Sequence, residues 1–408
     1  MPVNVGVCLS GGGFRAAFYG VGVLRYLAEA GKLDAVGPVS AVSGGSVAAA
    51  MLAARYDRFR GAGGDARSFV SSVEEPLRHV ACTTSIRDTT VLRTGLNRLR
   101  PRSPNRTAVL GRVLHEYLFE RVVLGELPRR PQAVITTTDL TAGRAFRLSR
   151  DFIGSYDHGY GTSGGSLPLG TACAASAAVP FALPPLRLAT AGMGLKDAAP
   201  AVLALADGGV YDNLGLEWFQ GWGSGRPPAA LPADFRIVVD AAGPIDRRRT
   251  PRTTPGALWR VKSIQYAQTR TVRTRWFVER LINGTEHGLY LSLGRHPSWV
   301  RLPGGQKLDP ATYTPALPSE FAPALAALRT DFDKFLPEEV ELLEYHAYWS
   351  IHALLRAVRP DLAIQGEPEW RTYAGLSARD QNSLLRLLAD GTRHWGPGRT
   401  PGWHRRKS

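Results

Sequence analysis

Apolar and polar residues alternate in blocks over the first sixty positions, and these blocks predict a repeated strand–helix unit. Residues 3–9 and 36–42 are short apolar runs typical of buried strands. Between them, apolar side chains recur at helical spacing over residues 14–30, and a second helix follows the second strand directly. A glycine-rich turn joins each strand to its helix. This order of elements predicts a parallel α/β sheet.

The rest of the chain adds further predicted elements with less regular spacing. Strands are predicted at residues 133–138 and 145–148, in a run that ends at Asp207, and in the segment 235–243. Helices are predicted at residues 110–124, 172–178, 318–335, 338–357 and 378–388, and a flexible surface loop at 159–166. Together these elements predict a three-layer α/β/α fold with a mainly parallel central sheet and a C-terminal helical extension.

Changes in composition and residue pattern along the chain predict three parts. Residues 1–300 form the main domain, with a motif-bearing core at about 4–245, and residues 301–392 form a C-terminal helical region. Residues 393–408 are basic and rich in Gly, which predicts a disordered tail. Docking onto the main domain is the plainest role for the C-terminal helices, with a lid or a dimer surface left open.

Composition narrows the class of protein. With 408 residues, of which 44% are hydrophobic, the chain can bury a large core. We expect no membrane span and no secretory leader, because no apolar run is long enough and no positive region precedes the first one. Cys8, Cys82 and Cys173 cannot all pair, which favours a reducing interior with the cysteines as buried small residues. We therefore expect a cytoplasmic protein with peripheral contact at a membrane.

The positive charge favours anionic partners. The formal net charge is +15, and residues 247–280 hold ten Arg or Lys residues and one acidic residue, Glu279, with aromatic residues between them. Such a segment suits an anionic membrane surface, with the aromatic side chains at the interface. Nucleic-acid phosphates are the less favoured partner. A solvated helix face that packs on the core is the structural alternative.

The sequence "SAVSGGS" carries the first candidate catalytic residue. A strand ends, Ser43 lies at a sharp bend and a helix begins, which is the arrangement of a nucleophile elbow. Ala41 and Gly45, two positions to either side, are small enough to avoid a clash at such a bend. Ser40 and Ser46 are rival serines, and Ser46 is better suited to cap the helix. A plain connector between strand and helix is the structural alternative.

The triple glycine near the start supplies candidate donors. Gly11, Gly12 and Gly13 lie between a strand end and a helix start, so their N–H groups are unhindered and close to the positive end of the helix dipole. The oxyanion formed when a serine attacks an ester needs such donors. Arg15 can hold this loop by binding carbonyls or acids. A phosphate-binding glycine loop is the alternative, although the sequence lacks G-K-[ST] at this position.

Asp207, followed by Gly208 and Gly209, is the candidate base. The apolar run before it puts the carboxylate at a strand end, where the ligand sites of α/β sheets gather. Asp207 can accept the serine proton if the pocket excludes water and raises its basicity. An ordinary turn is the structural alternative. A Ser-His-Asp triad would instead need a histidine, for which His287 and His296 are the best placed.

Three motifs in this order resemble those of the patatin-like phospholipase family: "GGGFRA", "AVSGGS" and "DGG". The stretches "TTTDLTAGRAFRL", "TACAASAAVPFALPPL" and "DGGVYDNLGL" are also similar, so the resemblance covers roughly residues 4–245. Two departures, Ala16 and Ala41, stand where the family often has glycine. They bear on activity more than on fold.

The resemblance implies a patatin-like fold and a Ser–Asp dyad that hydrolyses acyl esters of lipids without a histidine. Ser43 would be the nucleophile, Asp207 the base, and residues 11–13 the oxyanion hole. No cofactor and no metal are expected, and the oligomeric state is left open. Two other functions stay open: an α/β-hydrolase esterase with a Ser-His-Asp triad, and a non-catalytic protein that binds lipid or membrane on the same scaffold.

Overall fold

A computed structural model describes residues 3–97, 103–162, 165–220, 227, 229–245, 250–371 and 380–392. Among these residues, ten strands form one mixed sheet. The strands are β1 Val5–Leu9, β2 Val36–Val42, β3 Gln132–Asp139, β4 Arg144–Leu148, β5 Ile153–Ser155, β6 Gly159–Gly161, β7 Leu186–Ala189, β8 Val202–Asp207, β9 Phe235–Asp240 and β10 Gly288–Ser292.

One half of the sheet is parallel and contains the first two predicted strands. Its order is β10-β9-β1-β2-β3, and every pair of neighbours in it is parallel. Beyond β3 the sheet continues through β4, β5 and β6 in antiparallel pairs. Strand β8 pairs antiparallel with β3, on the same edge of β3 as β2 and just past the end of β2. Strand β7 pairs with β8. The predicted α/β fold is thus confirmed.

Helices cover the strands and connect them. In the described part of the chain they are α1 Gly13–Glu29, α2 Gly44–Ala54, α3 Tyr56–Gly61, α4 Ala66–Phe69, α5 Glu75–Thr83, α6 Ile86–Asn97, α7 Arg106–Tyr117, α8 Leu169–Ser176, α9 Gly209–Asp212, α10 Glu217–Gln220, α11 Thr254–Ile282, α12 Phe321–Ala326, α13 Pro337–Val358 and α14 Gln381–Asp390. None of these helices has the length and hydropathy needed to cross a bilayer.

Alternate residues of the central strands enter two separate cores, which makes the fold three-layered. In β1, Val7 and Leu9 belong to a large core, whereas Cys8 between them belongs to a smaller one. The large core includes residues of α1, α2, α7, α8 and α13. The smaller core includes Trp218 of α10 and Phe277 of α11. A strand with both faces buried therefore explains the continuous apolar runs in the sequence.

The helix predicted at 110–124 has the wrong bounds. It is α7, which begins at Arg106 because the Asn105 side chain accepts a hydrogen bond from the N–H of Ala108 (2.9 Å). It ends at Tyr117, shortly before Glu120 turns the backbone to a φ of 48°. A cap of this kind is a local contact that the apolar spacing alone does not reveal.

The helix predicted at 318–335 is also wrong in its second half. Here α12 ends at Ala326, because the carbonyls of Ala326 and Leu328 accept hydrogen bonds from the Arg15 guanidinium (2.7 and 2.6 Å). The following residues run as irregular chain along α1. The C-terminal helix α13 also packs against α1. The division of the chain at residue 300 stays a prediction.

Three smaller expectations need comment. The loop predicted at 159–166 is wrong at its start, since its first residues form β6 and pair with β5. All three cysteines are free, but only Cys8 and Cys173 are buried and Cys82 is half-buried. The predicted tail at 393–408 lies outside the described residues.

Candidate active site

Ser43 lies at the bend between β2 and α2, in a backbone conformation that few residues other than glycine adopt. Its φ and ψ are 51° and −119°. A Cβ on Gly44 would overlap the carbonyl oxygen of Gly13, and a Cβ on Gly45 would overlap that of Leu9. The bend therefore requires both glycines. The expectation that Ser46 caps the helix is wrong: Ser43 is the N-cap, and the Ser46 hydroxyl donates to the Ser43 carbonyl (2.5 Å).

Strand register brings Asp207 to the same bend. Val42, the last residue of β2, pairs with Thr136 of β3, and the next residue of β3 pairs with Asp207. Because β2 and β8 use the same edge of β3, their ends meet there. Ser176, the last residue of α8, fixes this junction: its hydroxyl accepts from the Ser43 N–H (2.8 Å) and donates to the Thr136 carbonyl (2.6 Å).

The Asp207 carboxylate is buried and accepts a hydrogen bond from the N–H of Gly209 (2.6 Å), and the Ser43 hydroxyl close to it favours its ionised form. Burial raises the pKa of Asp207 to about 7, against the opposing effects of the Gly209 N–H, Lys262 and the Ser43 hydroxyl. A carboxylate in this state can take a proton near neutral pH. Gly208 has no room for a side chain, because a Cβ there would overlap the Thr136 carbonyl.

The predicted oxyanion donors are reduced from three to two. The N–H of Gly11 already donates to the Asn213 carbonyl (3.0 Å), so the prediction for Gly11 is wrong. Gly12 and Gly13 have φ values of 143° and 58°, and no residue of the described chain accepts a hydrogen bond from their N–H groups. Both line the cavity beside Ser43. α1 begins at Gly13, so its dipole adds positive potential there.

Arg15 is buried and supports the glycine loop from behind. Its two short bonds to the carbonyls of Ala326 and Leu328 connect the loop to the C-terminal region. Burial lowers the pKa of Arg15 to about 10, which leaves it charged at neutral pH. Both bonds come from one guanidinium nitrogen, Nη1, and the side chain also lines the cavity.

A cavity of about 1240 Å³ opens over Ser43, Asp207, Gly12 and Gly13. Its apolar wall is formed by Val91, Leu110, Val179, Phe181, Leu183, Trp259 and Phe332. No histidine of the described residues lines it: His287 is exposed and His296 bonds to Ser298 instead. The arrangement therefore offers a serine, a carboxylate and two free amides in front of an apolar space.

Two residues of the site were missed from the sequence. Lys262 and Tyr266 of α11 line the cavity, and both interact electrostatically with Asp207. Burial lowers the pKa of Lys262 and raises that of Tyr266. They belong to the basic segment 247–280. In the sequence this segment stands out only by its charge and its aromatic content, which do not single out these two residues. Of that segment, residues 247–249 lie outside the described residues.

Comparison with known proteins identifies a matching family and several solved structures of low sequence identity. The family described as "Patatin-like phospholipase" matches residues 7–218. A search of curated proteins finds no match. Human GIVD cytosolic phospholipase A2 has 13% identity and a TM-score of 0.49, covering 88% of this chain and 63% of that one. VipD from Legionella pneumophila has 14% identity and a TM-score of 0.34, covering 88% of this chain and 67% of that one. The chain thus spans less than two thirds of the human protein's chain.

Proposed function

The chain belongs to the patatin-like phospholipase family, and from that premise we propose that it is a serine hydrolase that cleaves acyl ester bonds of lipids. Ser43 is the nucleophile and Asp207 the general base. The observation that carries this proposal is that strand register brings both side chains to one strained and buried bend at the cavity, where the Ser43 hydroxyl lowers the pKa of Asp207. The apolar cavity in front of them gives an acyl chain a place to bind.

The reaction follows from the positions of the groups. Asp207 takes the hydroxyl proton as the Ser43 oxygen attacks the acyl carbonyl carbon, and the N–H groups of Gly12 and Gly13 donate to the oxyanion. The C–O bond to the alcohol then breaks, and Asp207 returns the proton to the leaving oxygen. Water, deprotonated by Asp207, next attacks the acyl–Ser43 ester, and Asp207 returns this proton to the Ser43 oxygen as the bond to the acyl group breaks and the fatty acid is released. The N-termini of α1 and α2 both lie beside the oxyanion and lower its energy.

The direct test is ester hydrolysis by Ser43→Ala and Asp207→Asn, together with labelling by a fluorophosphonate probe. We expect each variant to lose about a thousandfold or more of the activity, because the two groups act in one step. We expect the probe to label Ser43, as mass spectrometry of the digested protein would show. His287→Ala and His296→Ala are the matched controls and should keep their activity.

Two results would contradict this proposal in different ways. Loss of activity in either histidine variant would favour a Ser-His-Asp triad. Failure of the probe to label Ser43 in folded protein, with no ester hydrolysis, would favour a non-catalytic protein that binds lipid.

We further propose that the protein meets its substrate at an anionic membrane surface. The contact region is what we call the cavity rim: α6, Phe181 and α11. Three large apolar side chains of the rim, Val91, Phe181 and Trp259, are exposed and also line the cavity. The cavity therefore opens where the surface is apolar, and α11 adds basic residues beside it.

Vesicle binding tests the rim. We expect the protein to sediment with vesicles of mixed phosphatidylcholine and phosphatidylglycerol, and to bind them more weakly as salt rises. Equal binding to vesicles of phosphatidylcholine alone, unaffected by salt, would contradict a role for charge. Sedimentation velocity without lipid would show whether a second copy of the chain covers the rim instead.

A further inference from the structure

α11 brings two polar groups with unused hydrogen-bonding capacity to the reaction site. Lys262 and Tyr266 lie four residues apart, on one face of the helix, and both line the cavity with Ser43 and Asp207. The Tyr266 hydroxyl is buried and has no hydrogen-bond partner among the described residues. Buried polar groups are nearly always satisfied in folded proteins. An unpartnered hydroxyl in the wall of a cavity is available to form a hydrogen bond with a ligand.

The Lys262 ammonium is held in place, yet no acid neutralises it directly. Its Nζ lies 3.9 Å from the centroid of the Trp259 ring and 5.1 Å from that of Tyr266, so two aromatic faces fix its position. It forms no ion pair or hydrogen bond within the described part of the chain, and Asp207 acts on it only through the electrostatic field. Lys262 therefore brings a positive charge into the cavity.

Three other cations beside the reaction site already have partners. One nitrogen of the Arg15 guanidinium is bonded to two carbonyls, which hold the side chain in place without neutralising its charge. Arg87 forms ion pairs with Asp88, Asp331 and Asp333, and Arg270 lies 3.6 Å from the Asp240 carboxylate. Lys262 thus differs from Arg87 and Arg270 in forming no ion pair with a described residue, so its charge is open to a ligand.

We propose that Lys262 and Tyr266 form the subsite for the phosphate group of a glycerophospholipid whose ester bond Ser43 attacks. The ammonium donates to phosphate oxygens as a compact point charge, and the Tyr266 hydroxyl donates a second hydrogen bond. This inference rests on the proposed hydrolase function. It makes Lys262 the residue that selects phosphate-bearing esters over neutral glycerides.

Binding is measured first, without catalysis. Calorimetry on Ser43→Ala protein with dihexanoyl-phosphatidylglycerol, below its micellar concentration, avoids both turnover and surface effects. We expect Lys262→Met in this background to weaken binding about tenfold and Tyr266→Phe a few-fold, since hydrogen bonds to charged groups have roughly this strength. Lys262→Arg should restore most of the affinity. Lys307→Met, an exposed lysine away from the cavity, removes the same charge and should have no effect.

Inorganic phosphate is a second arm of this measurement. We expect it to bind far more weakly than the phospholipid, because it cannot fill the apolar wall. Binding of both at equal affinity would identify a site for free anions and would overturn the phospholipid subsite.

Hydrolysis then separates two roles of Lys262. Its charge also favours the ionised form of Asp207, and this effect changes the hydrolysis of every ester equally. The ratio of kcat/KM for dihexanoyl-phosphatidylglycerol to that for dihexanoylglycerol isolates phosphate recognition. We expect Lys262→Met to lower this ratio about tenfold and Lys262→Arg to restore it. An unchanged ratio, with both rates lowered equally, would overturn the proposal.

The two measurements also distinguish this inference from the function on which it rests. If phosphatidylglycerol binds through Lys262 but no variant or wild type hydrolyses an ester, the subsite is correct and the hydrolase function is wrong. If esters are hydrolysed at Ser43 but the Lys262→Met variant has the phosphatidylglycerol affinity and the kcat/KM ratio of the wild type, the hydrolase function is correct and the phosphate subsite is wrong.

Discussion

The catalytic loops and the cavity rim border the same cavity, but the loops are tightly packed whereas the rim is exposed. In what we call the catalytic loops of the proposed mechanism, residues 11–13, 43–45 and 207–209, glycines let backbone segments touch. On the rim, by contrast, large apolar side chains are open to solvent, and Phe181 and Val261 are 65% and 61% exposed. The loops therefore tolerate almost no added atom, whereas the rim has open space around it. Under the proposed function, the first region fixes the chemistry and the second the recognition of lipid.

The largest expected effect concerns the cost of holding a carboxylate inside the catalytic loops. Burial raises the Asp207 pKa from its ordinary value of 3.8 to about 7, so the native state binds this proton more tightly than the unfolded state does. The resulting stability is present below the unfolded pKa and is lost as pH rises towards 7. We expect Asp207→Asn, although inactive, to be more stable than wild type at pH 8 by at most about 4 kcal/mol, or roughly 1.4 kcal/mol per pKa unit.

Urea denaturation between pH 5 and pH 8.5 measures this difference. The advantage of the asparagine variant should grow with pH up to about 7 and then stay level. An advantage that does not vary with pH would mean that the carboxylate is not the source of the instability.

Next in size is Gly44→Ala, which tests how tightly the catalytic loops approach each other. The new Cβ would overlap the carbonyl oxygen of Gly13, which is main chain and cannot rotate away. We expect the free energy of unfolding to fall by about 3 kcal/mol and activity to fall about a hundredfold, because a shift of about 1 Å at the reacting groups has that effect. Near-normal activity would show that the loops can separate, and the contrast with the rim would weaken.

Local patterns predicted the bend at Ser43 and the strand end at Asp207, for a physical reason. A strand end, a small-residue bend and a helix start are all encoded within ten positions, so the bend at Ser43 needs no distant partner to be recognised. The position of Asp207 at a strand end followed in the same way. Their meeting depends on the register of β3, which no local pattern contains.

Features that depend on contacts between distant parts of the chain could not be predicted from the sequence. The Gly11 N–H is occupied because the Asn213 carbonyl comes back to it, and only the fold shows this. Lys262 was one of many cations in a basic segment, and nothing near it in sequence marks it as facing Asp207. The early end of α12 likewise depends on Arg15, which lies hundreds of positions earlier.

The third prediction concerns the rim. Val261 and Val272 of α11 are 61% and 60% exposed, and both project from the same face of the helix. If this face enters a bilayer, replacing both with serine should weaken vesicle binding about thirtyfold, since each valine loses roughly 1 kcal/mol of apolar burial. Val202→Ser, an exposed valine outside the rim, is the control. Equal vesicle binding by all three proteins would remove this face of α11 from the proposed membrane contact.

The smallest expected effect tests the contrast between the catalytic loops and the rim most clearly, because a glycine is replaced by alanine in the rim as it was in the catalytic loops. Gly95 lies inside α6, is exposed, and has no atom within 4 Å of an added Cβ. Alanine is the better helix former and restricts the unfolded chain, so Gly95→Ala should raise the free energy of unfolding by about 0.5–1 kcal/mol. Thermal unfolding beside Gly44→Ala gives the comparison directly. If both alanines destabilise the protein alike, the space around α6 is occupied in solution, and the rim is not the open surface on which membrane contact depends.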